Sequence, residues 1–195
     1  MFHKRAVGLL DIHSIVPSLR LTADFIFQKC PLIMPRYYTI ASSSLTHPEE
    51  LTIAVSLSRY EVTIGETKTM RDGLVSGFLE DIFKGHKDGE AYTQSVMTFV
   101  KNSNFDMPES HDVPMIMVGP GTGVVPFIGF MQERQTAKTN DPELALNQAH
   151  MYFGCRRHDQ DFIYRDEMSD MKEKNIIAEL NLAFSREPDQ EKVYV

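Results

Sequence analysis

The stretch Met115-Ile116-Met117-Val118-Gly119-Pro120-Gly121-Thr122-Gly123-Val124-Val125-Pro126-Phe127 decides the fold class of this chain. Its first four residues are apolar and favour a buried strand, whereas the apolar residues after the glycines favour a helix. Glycines between a parallel strand and a helix let backbone N–H groups approach a phosphate. The loop has neither the Gly-Lys-Ser/Thr of a Walker A element nor the spacing Gly-x-Gly-x-x-Gly. The stretch therefore predicts either a pyrophosphate site or a tight turn without a ligand.

The residues after this loop continue an alternation of strands and helices. We expect strands at 115–118, 150–153 and 176–184, and helices at 124–138 and 165–174. Strands that alternate with helices in this way form βαβ units, which build a parallel sheet.

The residues before the loop have a different organisation. Apolar positions three and four apart predict short helices at 4–15 and 22–29 and a further helix at 73–83. Aromatic and β-branched residues predict antiparallel strands at 37–41, 51–56 and 95–100. The fold class is therefore α/β plus antiparallel β, with a partial β-barrel lobe over 1–110. A partial doubly wound parallel-sheet lobe, truncated at its C-terminus, is expected over 111–195.

The composition narrows the classes of function. The chain has 195 residues, 42% of them hydrophobic and 24% charged, which is typical of a globular protein and excludes disordered, collagen-like and coiled-coil chains. A net charge of −7 makes nucleic acid an unexpected partner. Cys30 and Cys155 form no Cys-x-x-Cys motif, and the histidines show no metal-ligand spacing, so we expect free thiols and no metal site.

Three further segments contain side chains suited to a phosphate or a planar ring. In Arg36-Tyr37-Tyr38-Thr39, a guanidinium and an aromatic ring share one face of a strand, although an ordinary amphipathic strand has the same pattern. Gly73-Leu74-Val75-Ser76 begins a helix whose free N–H groups suit a phosphate, unless Ser76 is a plain cap. Ser185 and Arg186, followed by Lys192 and Tyr194, suit a ribose phosphate or form a solvated turn.

Taken together and in order, five segments resemble the diflavin reductases of the ferredoxin-NADP reductase superfamily. They are residues 36–43, 73–76, 119–127, 153–157 and 183–187. The resemblance extends from about residue 16 to residue 195 and implies an internal fragment of an FAD/NADPH module. It implies an FAD-binding β-barrel lobe followed by an NADP-binding lobe.

The resemblance assigns an FAD site to the first lobe. It implies that Arg36 contacts the FAD pyrophosphate and that Tyr38, next to Tyr37, lies against the isoalloxazine. Thr39 would lie near the flavin N5 as the catalytic residue, where the family usually has serine. The backbone of Ile53, Ala54 and Val55 would border the FAD, and Gly73, Leu74, Val75 and Ser76 would take its pyrophosphate. The family often has cysteine at the position of Ile53.

The resemblance also assigns an NADPH site to the second lobe. Thr122 matches a contact to the pyrophosphate of the nucleotide. The group that would hold the 2′-phosphate, and so select NADPH over NADH, comprises Ser185, Arg186, Lys192, Val193 and Tyr194. Cys155 matches a structural segment of the family and not its catalytic thiol.

The family's activity then implies the role of the whole protein. Such a flavoprotein oxidoreductase transfers a hydride from NADPH to FAD and passes electrons through FMN, in a domain absent here, to a haem-protein acceptor such as cytochrome P-450. This is an NADPH-haemoprotein reductase activity at the endoplasmic reticulum membrane, reached through an absent anchor. Reductases of the nitric oxide synthase, sulfite and methionine synthase types share the framework, so the subfamily stays open. A nucleotide-binding fragment without redox chemistry is the other alternative.

Overall fold

A computed structural model of the chain describes residues 8–64, 66–85, 94–188 and 191–195. The chain divides into two compact units. The first unit comprises Met1–Tyr37 and Ser56–Met97, and the second comprises Tyr38–Val55 and Thr98–Val195.

The first unit combines three helices with one β-hairpin. Its elements are α1 (Leu9–Ile15), α2 (Ala23–Lys29), β1 (Arg59–Ile64), β2 (Thr67–Asp72) and α3 (Leu74–Gly85). The two strands are antiparallel, with Arg59 opposite Asp72. The Arg59 guanidinium donates to Asp72, at 3.0 Å, and also to Glu80 of α3, at 2.6 Å. These bonds tie the hairpin to the helix that follows it.

An ion pair links α1 to the hairpin. The Asp11 carboxylate is only 4% exposed and accepts hydrogen bonds from both terminal nitrogens of Arg71, one of them at 2.8 Å. The same carboxylate accepts the Gly8 N–H at 2.7 Å and so caps the first turn of α1.

The second unit is built on a parallel sheet. Its strands, in the spatial order β3-β4-β5, are β3 (Met115–Val118), β4 (Ala149–Cys155) and β5 (Glu179–Phe184). A 3-10 helix (Gly121–Val124) leads into α4 (Val125–Asn140), and α5 (Arg165–Glu173) precedes β5. The buried core is rich in methionine and includes Met117, Met131, Met151, Met168 and Met171.

The α/β organisation predicted after residue 112 is confirmed. Each expected strand and helix is present, with ends displaced by at most three residues. The last strand begins at Glu179 and not at residue 176, because the N–H groups of Ile176 and Ile177 donate to the Met171 carbonyl, at 2.9 and 3.2 Å, and not to a neighbouring strand. Helices near 9–15, 23–29 and 74–85 also match the expectation, although residues 4–7 of the first lie outside the described residues.

The antiparallel strands predicted before residue 110 are largely wrong. Segments 37–41 and 51–56 form an isolated antiparallel bridge between Ile40 and Ile53, supported by an Ala41 N–H to Thr52 carbonyl bond of 2.8 Å. Residues 95–100 form no strand in the described part of the chain, and Met97 and Val100 are exposed. The physical reason is that an extended apolar segment becomes a strand only where a neighbouring strand pairs with it.

The hairpin β1-β2 was not expected from the sequence. Its strands are mostly polar, and among their side chains only Val62 is buried.

No helix within the described ranges is both long and apolar enough to cross a bilayer. The described residues also hold no group of side chains arranged to bind a metal ion, and Cys30 and Cys155 are free thiols.

Candidate functional site

The glycine loop begins at the carboxyl end of β3. The Gly119 N–H donates to the Tyr152 carbonyl of β4 at 2.9 Å, which fixes the start of the loop against the sheet. A Cβ atom on Gly119 would lie 2.7 Å from the Gly123 carbonyl oxygen and from backbone atoms of Val124. Glycine is therefore required here for the strand and the 3-10 helix to approach each other.

The same loop leaves space for a ligand. Gly121 has a left-handed φ of 55°, and a Cβ placed there would meet no described atom within 4 Å. The Thr122 side chain is exposed on this loop. No described side chain caps the first turn of α4, which contains Pro126. The open loop and the uncapped positive end of the helix fit a pyrophosphate.

Three predicted residues of the nucleotide site lie at the same sheet edge. The Ser185 N–H donates to the Cys155 carbonyl at 3.0 Å, and the Arg186 N–H donates to the Arg156 carbonyl at 2.9 Å. The Val193 N–H donates to the Phe184 carbonyl at 3.3 Å. The first two bonds extend the pairing of β4 and β5 beyond the ends of these strands, and the third joins the C-terminal segment to the end of β5. Ser185, Arg186 and Val193 therefore lie at the carboxyl edge of the sheet.

The last residues of the chain pack close to the glycine loop. A Cβ on Gly154 would lie 2.8 Å from the Val195 side chain and 3.7 Å from the Pro120 side chain. Gly154 therefore has both the C-terminal segment and the glycine loop as neighbours. The structure thus brings Thr122 to the same region of the second unit as Ser185, Arg186 and Val193.

The charges at this edge divide into paired and unpaired groups. Arg156 pairs with Asp161 at 2.8 Å and Arg157 with Asp159 at 2.9 Å, which raises the pKa of both guanidinium groups. Within the described residues, by contrast, no acidic side chain forms an ion pair with Arg186 or Lys192. Both cations are exposed, so their charge is available to an anionic ligand.

A buried carboxylate holds the turn that presents Arg186. The Glu187 side chain is 7% exposed and accepts the His158 N–H and the His158 Nδ1, each at 2.7 Å. The His158 backbone N–H is the main reason that the pKa of Glu187 lies below its ordinary value.

The loop 156–161 contains a side-chain to backbone contact that was not predicted from the sequence. The Asp161 carboxylate accepts the backbone N–H groups of Arg156 and Arg157, at 3.1 and 2.9 Å. The signal that could have shown this contact is Asp161 itself, because a loop aspartate often accepts hydrogen bonds from backbone N–H groups nearby in the sequence. Cys155, which precedes this loop, is buried, and burial raises the pKa of its thiol to about 11. The thiol is protonated at neutral pH, which does not fit a nucleophilic role.

The residues predicted to bind a flavin are divided between the two units. Arg36 and Tyr37 belong to the first unit, where the Arg36 guanidinium is exposed and donates to the Met34 carbonyl at 2.6 Å. Tyr37 is also exposed. Tyr38 and Thr39 belong to the second unit, with Tyr38 half-buried and Thr39 exposed.

The bridge between Ile40 and Ile53 brings two of the predicted flavin segments together. It lies directly after Thr39 and joins this segment to Ile53, Ala54 and Val55, whose side chains are half-buried. The structure therefore places Thr39 beside the segment whose backbone was predicted to border the same cofactor.

The segment Gly73–Ser76 lies in the first unit and forms the start of α3. A Cβ on Gly73 would lie 2.9 Å from the Ser58 Cβ, and the Gly73 N–H donates to the Ser58 carbonyl at 2.6 Å. The buried Ser76 hydroxyl accepts the Ser58 N–H at 3.2 Å. The Ser76 hydroxyl also lies 3.5 Å from the Gly73 carbonyl oxygen, so it ties the start of α3 to the residues before it and accepts no described N–H group of the helix, as a cap would. Leu74 is exposed and Val75 is half-buried.

Comparison with known families identifies both halves of the chain. Residues 2–78 match the family described as FAD binding domain. Residues 117–195 match the family described as oxidoreductase NAD-binding domain. An antiparallel hairpin and a parallel three-stranded sheet with helices fit the ferredoxin-NADP reductase-like fold that these families share.

Individual relatives agree with the families. The chain is 38% identical over 187 residues to an NADPH-cytochrome P450 reductase of Cavia porcellus and 39% identical over 188 residues to that of Homo sapiens. Each match covers 96% of this chain and 26% of the relative. An NADPH-dependent diflavin oxidoreductase of Dictyostelium discoideum is 38% identical over 98% of this chain and 30% of its own length. The chain therefore spans little more than a quarter of these relatives.

These matches confirm the resemblance seen in the motifs. The chain carries a match to the FAD binding domain family followed by a match to the oxidoreductase NAD-binding domain family, and it is similar in sequence to part of an NADPH-dependent diflavin oxidoreductase and of NADPH-cytochrome P450 reductases.

Proposed function

We propose that this chain is the central part of an FAD/NADPH module, with an FAD-binding lobe over 1–110 and an NADP-binding lobe over 111–195. The observation that carries the proposal is the occurrence of both family matches in one chain whose glycine loop, Arg186 and Val193 share a sheet edge. When bound, NADPH supplies a hydride, one proton with two electrons, to FAD. The protein supplies binding and geometry for that transfer.

In this proposal the second unit binds NADPH. Thr122 and the backbone N–H groups of the glycine loop hold the pyrophosphate. The exposed charges of Arg186 and Lys192, with donors from Ser185, Tyr194 and the Val193 backbone, hold the 2′-phosphate. NADPH is preferred to NADH because only NADPH has that phosphate.

The proposed FAD contacts follow the motif that begins at residue 36. Arg36 holds the pyrophosphate, Tyr38 lies against the isoalloxazine, and Tyr37 contributes an exposed ring to the same segment. The exposed Thr39 hydroxyl forms a hydrogen bond at the flavin N5 as the charge there changes. The backbone of Ile53–Val55 borders the ring. The backbone N–H groups of Leu74, Val75 and Ser76 reach the pyrophosphate, because the Gly73 N–H and the Ser76 hydroxyl are already bonded within the protein.

For the whole protein, we propose an FMN-containing reductase whose electron acceptor is a haem protein such as cytochrome P450. The support is the names of the relatives, several of which are NADPH-cytochrome P450 reductases. The same resemblance supports the endoplasmic reticulum membrane as its location. The FMN site and the contact with the haem protein belong, in this proposal, to parts of the protein outside this sequence.

A second candidate function is nucleotide binding without a flavin. One observation favours it: the parallel sheet and the glycine loop are completely formed, whereas the segments around residues 40 and 53 share a single bridge in the described part of the chain. This candidate predicts NADP⁺ binding and no FAD binding.

The visible absorption spectrum distinguishes the two candidates. The chain is incubated with excess FAD and desalted, and circular dichroism confirms that it is folded. We expect a retained flavin band, and an Arg36→Ala variant should retain flavin about tenfold more weakly because a charge-assisted hydrogen bond is lost. Arg20→Ala, which removes an exposed arginine outside the motif, is the control. A folded but colourless wild type contradicts the FAD assignment and favours the second candidate.

A further inference from the structure

Helix α4 joins the glycine loop to the segment that follows Tyr38 and Thr39. The helix starts at the loop, and one face of it packs on residues 41–46, about 90 positions earlier in the chain. Gly129 is the closest approach, because a Cβ on it would lie 3.3 Å from the Ala41 carbonyl oxygen. Ala41 is 1% exposed. A glycine at this position lets the helix backbone contact the backbone of segment 41–46 directly.

Two side chains of α4 continue this contact. The Gln132 Oε1 accepts the Ser43 N–H at 2.9 Å, and Ser43 is itself buried. The Thr136 hydroxyl forms a 2.8 Å hydrogen bond with the Thr46 hydroxyl. We name these three residues of α4, Gly129, Gln132 and Thr136, the α4 clamp. The Gln132 bond matters most, because a buried backbone N–H that loses its acceptor is strongly unfavourable.

The clamped segment is also held from its other side. The Ala41 N–H donates to the Thr52 carbonyl at 2.8 Å, and the Thr52 N–H donates to the Ser42 hydroxyl at 3.0 Å. Residues 40–43 are therefore fixed between segment 52–53 and α4. Because Thr39 immediately precedes residue 40, these contacts also fix its position.

We propose that Gln132 is a positioning residue that fixes the distance between the glycine loop and Thr39. This inference rests on the proposed function, in which the loop holds NADPH and Thr39 lies at the flavin. From Val125, where α4 begins, to Gln132 the helix rises about 10 Å as a stiff rod. Hydride transfer requires the reacting atoms to lie about 3 to 3.5 Å apart, so a small displacement of either end slows it steeply.

The test compares three variants in the full chain. Gln132→Leu removes the acceptor for Ser43, Gln132→Glu keeps an oxygen at the same place, and Gln135→Leu makes the same change one helical turn further on, outside the clamp. FAD retention and NADP⁺ affinity are measured first. Flavin reduction by NADPH in a single turnover, the change in the flavin spectrum on NADP⁺ addition, and hydrogen exchange of the Ser43 amide follow.

We expect Gln132→Leu to retain FAD and to bind NADP⁺ within about twofold of the wild type, while flavin reduction slows by about 10- to 100-fold. Exchange of the Ser43 amide should accelerate, and the NADP⁺-induced change in the flavin spectrum should shrink. Gln132→Glu should restore all three properties, and Gln135→Leu should match the wild type.

Three negative outcomes are distinguishable. If Gln132→Leu retains FAD and reduces it at the rate of Gln135→Leu, the positioning role is overturned and the proposed function stands. If the folded wild type retains no FAD, the proposed function itself is overturned. Loss of FAD in Gln132→Leu alone would also overturn the inference, because it would make Gln132 a determinant of cofactor retention and not of spacing.

Discussion

Arg186 is the residue on which the choice between NADPH and NADH depends. Its guanidinium is exposed at the end of β5 and has no acidic partner among the described residues. We expect Arg186→Ala to raise the Kd for NADPH by about 10- to 100-fold, because a charge-assisted hydrogen bond to the 2′-phosphate is lost. The Kd for NADH should stay within about twofold of the wild-type value. Isothermal titration with both nucleotides measures the two constants.

Lys174→Ala is the matched control for this change. It also removes one positive charge from the second unit, but Lys174 pairs with Asp170 at 2.6 Å in the last turns of α5. Its effect on both nucleotides should be small and equal. A parallel rise of the two Kd values in Arg186→Ala would show that Arg186 does not contact the 2′-phosphate.

Asp11 gives the first unit a pH-dependent stability. Hydrogen bonds from Arg71 and then from the Gly8 N–H hold the pKa of its carboxyl below the ordinary value of 3.8. Because the folded-state pKa is lowered, the stabilisation is fully present above pH 3.8 and is lost as the pH falls through the lower folded-state value. The Tm of the wild type should therefore exceed that of Asp11→Asn near pH 7, and the difference should vanish in acid.

Thermal unfolding followed by circular dichroism between neutral pH and about pH 2 tests this expectation. Asp81→Asn, which neutralises an exposed carboxylate of α3, serves as the control. A Tm difference for Asp11→Asn that stays constant down to the lowest pH would contradict the assigned role of the Asp11–Arg71 pair.

At the scale of elements, the junction of β3 with the 3-10 helix is the tightest point of the proposed nucleotide site. A Cβ on Gly119 would lie 2.7 Å from backbone atoms, which cannot move aside as a flexible side chain can. We expect Gly119→Ala to destabilise the chain by about 1 to 3 kcal/mol through overpacking and to weaken NADP⁺ binding. Chemical denaturation and nucleotide titration measure the two effects.

Gly123→Ala is the control within the same loop. A Cβ there would meet the Pro120 side chain at 3.6 Å, which is an ordinary van der Waals distance. Its effect on the free energy of unfolding should be within about 0.5 kcal/mol of zero. If the two alanine variants were equally destabilised, the close approach of Gly119 to Val124 would not be the reason that residue 119 is a glycine.

At the scale of the whole molecule, the sequence predicts the part of the chain after residue 112 far better than the part before it. The elements from Met115 to Phe184 follow one another along the chain, so local periodicity and the glycine loop are enough to predict them. In the first hundred residues, periodicity shows which segments prefer an extended backbone but not which segments pair. Met97 is exposed in a segment that reads as a strand, whereas polar Thr67–Asp72 pairs with β1.

The candidate site shows the same division. The nucleotide residues Thr122, Ser185 and Arg186 lie just beyond the ends of strands, where parallel-sheet topology brings them together without further information. Gln132 could not be predicted from the sequence, because its partner Ser43 lies 89 positions away and the bond requires the packed position of α4. A glutamine on an amphipathic helix otherwise indicates only a solvated face.

The proposed FAD residues lead to a prediction that covers the whole chain. They lie in three separate segments, of which 38–41 and 53–55 belong to the second unit and 73–76 to the first. FAD binding should slow hydrogen exchange at each of these proposed segments. NADP⁺ should slow exchange in the second unit alone, at 119–125, 185–186 and 193. Either ligand at 100 times its Kd adds about 2.7 kcal/mol to the stability of the state that binds it.

Hydrogen exchange followed by mass spectrometry, with each ligand added separately, measures these effects. NAD⁺ is the control ligand, because it has the pyrophosphate but not the 2′-phosphate, and it should protect 119–125 while leaving 185–186 nearly unchanged. Protection by NADP⁺ without any protection by FAD would favour nucleotide binding alone. If FAD protects some of its proposed segments and not others, the assignment of each unprotected segment is wrong.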